Sequence, residues 1–275
     1  MKSVNEHLKE YFNAHKQSLK KFYPGLDINY FSEKFLEYSG LNRDEVYLNT
    51  HDDFFDQVRS GVPLEYLTES KFFYRSEFFV NKDVLIPRSE TEILVERAIS
   101  LIKNNNLKTL AEIGVGSGCI SLSIAMECPG VKILATDISE LALKVASINL
   151  SRHQNKILEE TQLTLECTDR LNGINKKFDL IVSNPPYIKE SDEVHEQVLK
   201  FEPQTALFLA DEDYNDWFSD LFQQVSNNLS EKGIFLMEGH EDHLAALQKL
   251  SLSNFTRTEI LEDYTNRDRF LICYK

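Results

Sequence analysis

The sequence predicts an α/β fold: a mostly parallel β-sheet covered by helices on both faces, preceded by a small helical module. Two observations lead to this prediction. From Lys108 onward, short apolar strands alternate with segments whose apolar residues recur at helical spacing. Before about residue 75, the apolar residues recur mainly at helical spacing. We therefore divide the chain into a helical domain (1–75), a β segment with a linker helix (76–107) and a sheet domain (108–275).

The first 107 residues contain clear start and stop signals. Pro24-Gly25 interrupts the first helical pattern, and Gly40 ends the second. The aromatic and β-branched segment 72–86 is typical of a hairpin. A helical pattern then follows Pro87, with Ser89 or Thr91 as its expected N-cap.

The sheet domain is expected to contain seven strands and four long helices. The strands are predicted at 108–113, 131–136, 163–167, 178–183, 233–238, 256–263 and 268–275. The helices are predicted at 117–126, 139–150, 213–229 and 243–252. In such a sheet, ligands bind beyond the carboxyl ends of the strands, so the residues that follow strands are the candidates for function.

Composition excludes several classes of protein. The formal net charge of −14 and the lack of a basic run disfavour direct nucleic-acid binding. Four scattered cysteines without a C-x-x-C pair argue against a disulfide framework or a zinc site and are typical of a cytoplasmic protein. The amino-terminal segment lacks the apolar stretch of a signal peptide, and no segment is apolar over membrane-spanning length.

A glycine-rich loop joins the first strand of the sheet domain to its helix. Gly114, Gly116 and Gly118, with Val115 and Ser117 between them, allow a ligand to approach the backbone closely. Asp137 ends the next strand, where a carboxylate can accept both hydroxyls of a ribose. Cys119 stands where the third glycine of a dinucleotide fingerprint would be. These features predict a ribose-containing cofactor without choosing between NAD and S-adenosylmethionine.

The second candidate is the stretch Asn184-Pro185-Pro186-Tyr187, which ends the buried strand 178–183 abruptly. If the cofactor is S-adenosylmethionine, the Asn184 side-chain oxygen and the Pro185 carbonyl can accept the N–H groups of a planar nitrogen. These acceptors would stabilise the positive charge that develops as a methyl group arrives. Tyr187 offers a ring that can pack against a planar amide or base. The residues thus favour transfer of a methyl group to an amino or amide nitrogen.

Three longer segments resemble the bacterial release factor glutamine methyltransferases, also called the HemK family. They are VLIPRSETEILVERA (Val84–Ala98), EIGVGSGCISLSIA (Glu112–Ala125) and FDLIVSNPPYI (Phe178–Ile188), supported by FEPQTALF (Phe201–Phe208) and YTNRDRF (Tyr264–Phe270). The resemblance implies a seven-stranded, Rossmann-like class I methyltransferase domain that uses S-adenosylmethionine. It also implies a helical N-terminal domain that helps to bind the protein substrate.

The implied reaction is methylation of the side-chain amide nitrogen (N5) of the glutamine in the Gly-Gly-Gln motif of class-I peptide chain release factors. By motif match, Gly114 to Gly118 surround the cofactor and Asp137 holds its ribose. Thr168-Asp169-Arg170 flank the adenine, and Asn184 to Tyr187 bind the glutamine amide, with Asn184 also near the cofactor. The resemblance thus implies peptide chain release factors as protein partners, whereas charge, hydropathy and cysteine spacing predict no nucleic-acid, membrane or metal partner.

Departures from the family pattern leave alternatives open. Ser89 replaces a proline of I-P-R-P-E-T, as in a related family that methylates a ribosomal-protein glutamine, whereas Glu90-Thr91 favour the release-factor family. Arg170 stands where an aromatic residue is common. A DNA or RNA adenine amino-methyltransferase would share the catalytic corner, and a binding protein with a retired methyltransferase fold is a third hypothesis.

Several other residues carry no functional prediction. His51, His240 and His243 have no triad or metal spacing, and Trp217 is expected to pack a helix. Glu238 ends a strand at the functional edge, but the sequence assigns it no role.

Overall fold

The computed structural model describes residues 2–275, so Met1 of the predicted helical domain lies outside the described residues. Four helices make up the amino-terminal module: α1 (Val4–Phe22), α2 (Ile28–Ser39), α3 (Asp52–Arg59) and α4 (Leu64–Leu67). They begin and end as the sequence suggests, since Asp27 caps α2 and Gly40 ends it in the left-handed conformation.

The helical module has a hydrophobic core of its own. Aromatic side chains dominate that core, among them Phe31, Phe35 and Phe54, all fully buried. A separate core is what an independent domain requires. The domain boundaries at residues 75 and 107 nevertheless stay a prediction.

A hairpin and a helix join the module to the sheet. The hairpin pairs β1 (Ser70–Phe73) with β2 (Ser76–Phe79), and α5 (Thr91–Asn105) follows after an irregular segment. The predicted caps of α5 are wrong, because Glu90 occupies the N-cap position without a side-chain cap. Ser89 donates to the Glu90 carboxylate, and the buried Thr91 hydroxyl donates to Glu238 in the sheet. The Thr91 hydroxyl therefore binds a carboxylate that is distant in sequence and does not cap the start of α5.

The seven-stranded sheet has the order β10-β11-β9-β6-β3-β4-β5, and it confirms the predicted fold class. Its strands are β3 (Thr109–Ile113), β4 (Lys132–Asp137), β5 (Gln162–Cys167), β6 (Phe178–Ser183), β9 (Leu229–Glu238), β10 (Arg257–Glu262) and β11 (Asp268–Tyr274). Only β11 runs antiparallel to its neighbours, β9 and β10. A separate two-stranded ribbon pairs β7 (Ile188–Lys189) with β8 (Phe208–Leu209).

Helices cover both faces of this sheet. They are α6 (Cys119–Glu127), α7 (Glu140–His153), α9 (Tyr214–Asn228) and α10 (Glu241–Ser251), in addition to α5. The short helix α8 (Glu196–Phe201) instead contacts the helical module, where Gln197 Nε2 donates to the Gly61 carbonyl at 2.8 Å. Alternate residues of β6 enter opposite cores: Leu180 packs with residues of α5 and α6, whereas Ile181 packs with residues of α9 and α10. A central strand buried on both faces explains why 178–183 is mostly apolar, with Asp179 and Ser183 as its polar residues.

The parallel strands bring the predicted functional residues to one edge. The carboxyl ends of β3, β4, β6 and β9 lie at that edge, and β3 is the strand between β4 and β6. The chain proceeds from β3 to β4 and β5 on one side, and β6 lies on the other. This reversal is the topological switch point at which α/β sheets bind ligands.

Candidate active site

A cavity of about 580 Å³ opens at this edge between the glycine loop and the asparagine–proline corner. Most of the predicted site residues line it: Gly114, Val115, Gly116, Ser117, Asp137, Asp169, Arg170, Asn184, Pro185 and Pro186. Gly118 lies just outside, at the N-cap of α6. Tyr187 also lies outside the lining and directs its hydroxyl to Glu238. The glycine loop and the asparagine–proline corner therefore line the same cavity.

The glycine loop owes its shape to left-handed backbone conformations. Gly114 and Gly118 have φ values of 77° and 81°, which residues with a Cβ rarely adopt. A Cβ on Gly118 would also lie 3.2 Å from Leu122 Cδ1. A Cβ on Gly114 would lie 3.8 Å from the Asn184 carbonyl oxygen, so this loop passes directly beside the other motif.

Asp137 is held rigidly by the backbone. Its Oδ2 accepts from Gly116 N–H at 2.9 Å, and its Oδ1 accepts from Ser139 N–H at 2.9 Å. Burial raises the pKa of the carboxyl, while these backbone donors oppose the increase. Each carboxylate oxygen keeps a second lone pair that can accept a ribose hydroxyl.

Glu112 is a lining residue that the sequence did not reveal. Its side chain is fully buried, and its Oε2 accepts from the backbone N–H of Ser121 at 3.0 Å. Within residues 2–275, its Oε1 is buried without any hydrogen-bond partner. Burial raises the pKa of Glu112 to about 8. An unpaired carboxylate oxygen of this kind suits a cationic group of a ligand.

Asp169 and Arg170 form an ion pair at the cavity, with 2.9 Å between Arg170 Nη2 and Asp169 Oδ2. The Arg170 guanidinium carbon lies 5.1 Å from the centre of the Trp217 ring. Trp217 does pack against the core as predicted, but it also lines the cavity. Arg170 thus stacks on a neighbouring ring, and a planar ligand would meet both groups.

Four side chains form a hydrogen-bonded chain behind the asparagine–proline corner. Asn184 Nδ2 donates to Thr91 Oγ1 at 3.2 Å, and Thr91 Oγ1 donates to Glu238 Oε2 at 2.7 Å. Tyr187 donates to Glu238 Oε1 at 3.0 Å. Glu238 is 1% exposed, and burial raises its pKa. Thr91 and Glu238 were missed because they are distant in sequence from the motif that they contact.

The remaining family-like segments also meet each other. Arg88 Nη2 lies 2.5 Å from Glu202 Oε1, and Glu202 Oε2 accepts from Ile86 N–H at 3.1 Å. Beside this pair lies a second cavity of about 480 Å³, whose wall includes Phe22 and Tyr23 of the helical module. Pro87 lines both cavities, so the two spaces are neighbours.

The first cavity fits S-adenosylmethionine by the chemistry of its donors and acceptors. That molecule carries a ribose diol, an ammonium group and a flat purine. The residues present offer a carboxylate at Asp137, the unpaired oxygen of Glu112 and the planar groups of Arg170 and Trp217. At Gly116 no atom lies within 4 Å of the position that a Cβ would take, so a ligand can approach the loop backbone there.

Comparisons with known proteins show which family the chain belongs to. Residues 89–212 match the family model described as "Methyltransferase small domain". A release factor glutamine methyltransferase of Flavobacterium psychrophilum is 34% identical over 84% of this chain and 82% of its own length. One from Chlorobaculum tepidum is 34% identical over 78% and 74%, and one from Shewanella oneidensis is 36% identical over 77% and 72%.

Solved structures support the fold. The hMettl16 catalytic domain aligns with a TM-score of 0.57 at 14% identity, covering 91% of this chain and 93% of that chain. A 16S rRNA methyltransferase of T. thermophilus in complex with AdoMet and guanosine aligns with a TM-score of 0.51 at 14% identity, covering 75% and 49%. Identity this low carries information about the fold alone. The sequence relatives confirm the resemblance seen in the motifs, and the chain belongs to the release factor glutamine methyltransferase family.

Proposed function

We propose that this protein transfers a methyl group from S-adenosylmethionine to the side-chain amide nitrogen of the glutamine in the Gly-Gly-Gln motif of a class-I peptide chain release factor. The observation that carries the proposal is the meeting of two motifs at adjacent strand ends. The glycine loop after β3 and the corner at Asn184 after β6 open into one cavity. A cofactor and an acceptor nitrogen can therefore lie side by side.

The cofactor half of the site would bind S-adenosylmethionine and orient it. When bound, S-adenosylmethionine supplies an electrophilic methyl group on a sulfonium. Asp137 would accept the ribose hydroxyls, and Glu112 would accept from the ammonium group through its unpaired oxygen. Asp169 and Arg170 would contact the adenine beside Trp217. Val115 and Ser117 complete the loop around the cofactor.

The acceptor half holds the glutamine amide. Asn184 Oδ1 and the Pro185 carbonyl accept no hydrogen bond from residues 2–275, so both are available to the substrate. Accepting the two N–H bonds of the amide orients its nitrogen and stabilises the positive charge that develops on it. Pro186 stiffens the corner, and Tyr187 supports it from behind through Glu238.

The protein partner is expected to contact the second cavity as well. That cavity lies between the helical module and the segment around Arg88, and it adjoins the first through Pro87. Phe72 at its wall is 64% exposed, although it is a large apolar side chain. An exposed aromatic side chain at the wall of a cavity offers a protein partner a large apolar contact. The helical domain would thus help to position the release factor.

The proposed substrate indicates the cellular compartment of the reaction. No helix within residues 2–275 has the length and apolar character needed to cross a membrane. We place the reaction in the cytoplasm, where release factors act. The net charge of −14 argues against direct nucleic-acid binding.

A labelled-methyl assay tests this function. The protein is incubated with labelled S-adenosylmethionine and a release factor, with a release factor whose Gly-Gly-Gln glutamine is replaced by alanine as control. We expect label in the first and none in the second. Ribosomal proteins and nucleic acids are assayed in parallel. Ser89 matches the serine found at this position in the family that methylates a ribosomal-protein glutamine, and the amino group of an adenine could also bind at Asn184 and Pro185. Label only in those fractions would contradict the release-factor assignment.

A further inference from the structure

The hydrogen-bonded chain behind Asn184 determines which end of its amide faces the cavity. The Thr91 hydroxyl has a single proton, and it lies 2.7 Å from Glu238 Oε2. A carboxylate can only accept hydrogen bonds, so the proton of Thr91 must point to Glu238. What Thr91 offers to Asn184 is then a lone pair. Only the Nδ2 end of the amide can bind a lone pair, and this is the bond found, at 3.2 Å.

The Oδ1 end is consequently left for the cavity. This polarity matters for the reaction. An acceptor at that point binds the N–H bonds of a glutamine amide, whereas an NH₂ group would repel them. Asparagine has no intrinsic preference between the two orientations, since its two ends have nearly the same shape. The preference must come from groups outside the motif.

We propose that Thr91 and Glu238 are positioning residues that fix the polarity of the Asn184 amide, with Glu238 orienting the Thr91 hydroxyl and Thr91 orienting the amide. The proposal rests on the proposed function, since it explains how the acceptor for the glutamine N–H is presented. It also gives a reason for the buried position of a carboxylate that touches no substrate.

The hydrogen-bonded arrangement of Asn184, Thr91 and Glu238 depends on the ionisation of Glu238. The charged groups that face Glu238 are Arg269 from β11 and Glu90 at the start of α5, together with the Tyr187 hydroxyl after β6. Arg269 favours the carboxylate, Glu90 opposes it, and burial is the largest influence, raising the pKa. Near Tyr187, Arg88 adds a further positive charge.

Protonation of Glu238 would reverse the donor and acceptor roles in the hydrogen bonds from Glu238 to Thr91 and from Thr91 to Asn184. A protonated carboxyl can donate to Thr91, and Thr91 can then donate to Asn184. The amide would turn its Oδ1 inward and present NH₂ to the substrate. We therefore expect kcat to fall as the pH drops through the pKa of Glu238, with no matching loss of cofactor binding.

Two substitutions at Thr91 test the proposal against a matched control. Thr91→Val keeps the shape but removes the hydroxyl, and Thr91→Ser restores it. Thr161→Val is the control, because its hydroxyl also accepts from one group and donates to another, at Gly130 N and Cys128 O. We expect Thr91→Val to lower kcat roughly 10- to 100-fold with an unchanged Kd for S-adenosylmethionine. Thr91→Ser and Thr161→Val should retain most of the activity.

A double-mutant cycle separates positioning from a general structural role. If Thr91 acts through Asn184, then Thr91→Val should cost little further activity in an Asn184→Ala background. The acid limb of the kcat profile should also disappear in Thr91→Val. An equal loss of activity in both backgrounds, or no loss in the single variant, would overturn the proposal.

A spectroscopic measurement is independent of turnover. The side-chain amide NMR signal of Asn184, assigned by its absence in Asn184→Ala, should shift on Thr91→Val and should titrate with pH in the wild type. An inactive wild type with this behaviour would contradict the proposed function but support the positioning chain. A signal that neither shifts nor titrates would contradict the chain even if methylation occurs.

Discussion

The two halves of the active site are built differently. The ribose-binding part of the cofactor half is one short stretch of chain, Gly114 to Gly118, plus Asp137 at the end of the adjacent strand. The acceptor half joins Thr91, Asn184 and Glu238, which come from three separate parts of the chain. One half depends on local backbone geometry, and the other depends on side chains that only the completed fold brings together.

This difference has consequences for energetics. Backbone N–H groups fix Asp137 whatever the neighbouring side chains are, so the ribose-binding part of the site is sensitive mainly to the glycines and to this carboxylate. In the acceptor half each group is oriented by the next, so the loss of one member affects the others. Substitutions in the two halves should therefore separate turnover from cofactor binding.

The largest effect is expected from Asn184→Ala. It removes an acceptor at the reacting nitrogen, and the loss of one such group typically lowers kcat about 10²- to 10³-fold. The Kd for S-adenosylmethionine, measured by calorimetry, should change little. Intact turnover would refute the role of Asn184. A large loss of cofactor affinity would instead assign Asn184 mainly to cofactor binding.

Asp137→Ala should show the opposite separation. It removes a buried carboxylate that we assign to the ribose, and hydrogen bonds to charged groups contribute about 1.5–3 kcal/mol. We expect the Kd for S-adenosylmethionine to rise roughly 10- to 100-fold. Calorimetry checks this directly, and an unchanged Kd would remove Asp137 from the cofactor site.

Glu112→Gln tests the buried carboxylate through its effect on stability. The pKa of about 8 in the folded protein exceeds the ordinary 4.5, so the folded state retains a proton that the unfolded state loses. The free energy of unfolding of the wild type should therefore decrease as pH rises from about 5 to about 8, by up to about 1.4 kcal/mol per pH unit. The variant lacks this titration.

Urea unfolding across that pH range measures the difference between wild type and Glu112→Gln. We expect the two to converge near pH 5 and the variant to be relatively more stable at pH 8. Parallel curves over the whole range would contradict the assigned pKa. Above pH 8, where Glu112 of the wild type is ionised, the variant should also bind S-adenosylmethionine more weakly, because it lacks a negative charge beside the ammonium group.

The smallest effect is expected from Gly118→Ala, with Gly173→Ala as its matched control. Both glycines have positive φ, 81° and 77°, so each substitution should destabilise the protein by about 1–2 kcal/mol. Of the two, only Gly118 has a neighbour near the added Cβ, Leu122 Cδ1 at 3.2 Å, and only Gly118 belongs to the cofactor loop. An increased Kd for S-adenosylmethionine in Gly118→Ala alone would support the local character of the cofactor half, and equal Kd values would contradict it.

The same difference explains how far the sequence could be interpreted. Strand 178–183 was predicted at its observed bounds because a central strand buried on both faces is mostly apolar. The glycine loop and Asp137 were found because their spacing within one strand–helix–strand unit is a property of local sequence. Alternation of strands and helices likewise predicted the sheet.

Long-range partners could not be predicted in this way. Thr91 was expected to cap α5, because threonine near a helix start usually does so, yet its hydroxyl contacts Glu238. Trp217 was assigned to packing from helical spacing, which does not reveal that the ring also reaches a cavity. The pairing of Arg88 with Glu202 likewise joins segments whose proximity depends on the whole topology.

Mass spectrometry of a release factor incubated with S-adenosylmethionine and either the wild type or Asn184→Ala tests the central claim most directly. If the two halves of the site bring a methyl group to a glutamine amide, the wild type will add one methyl group to the Gly-Gly-Gln glutamine. The variant will bind the cofactor but add almost none. A methyl group on another residue, or equal methylation by both proteins, would contradict this account.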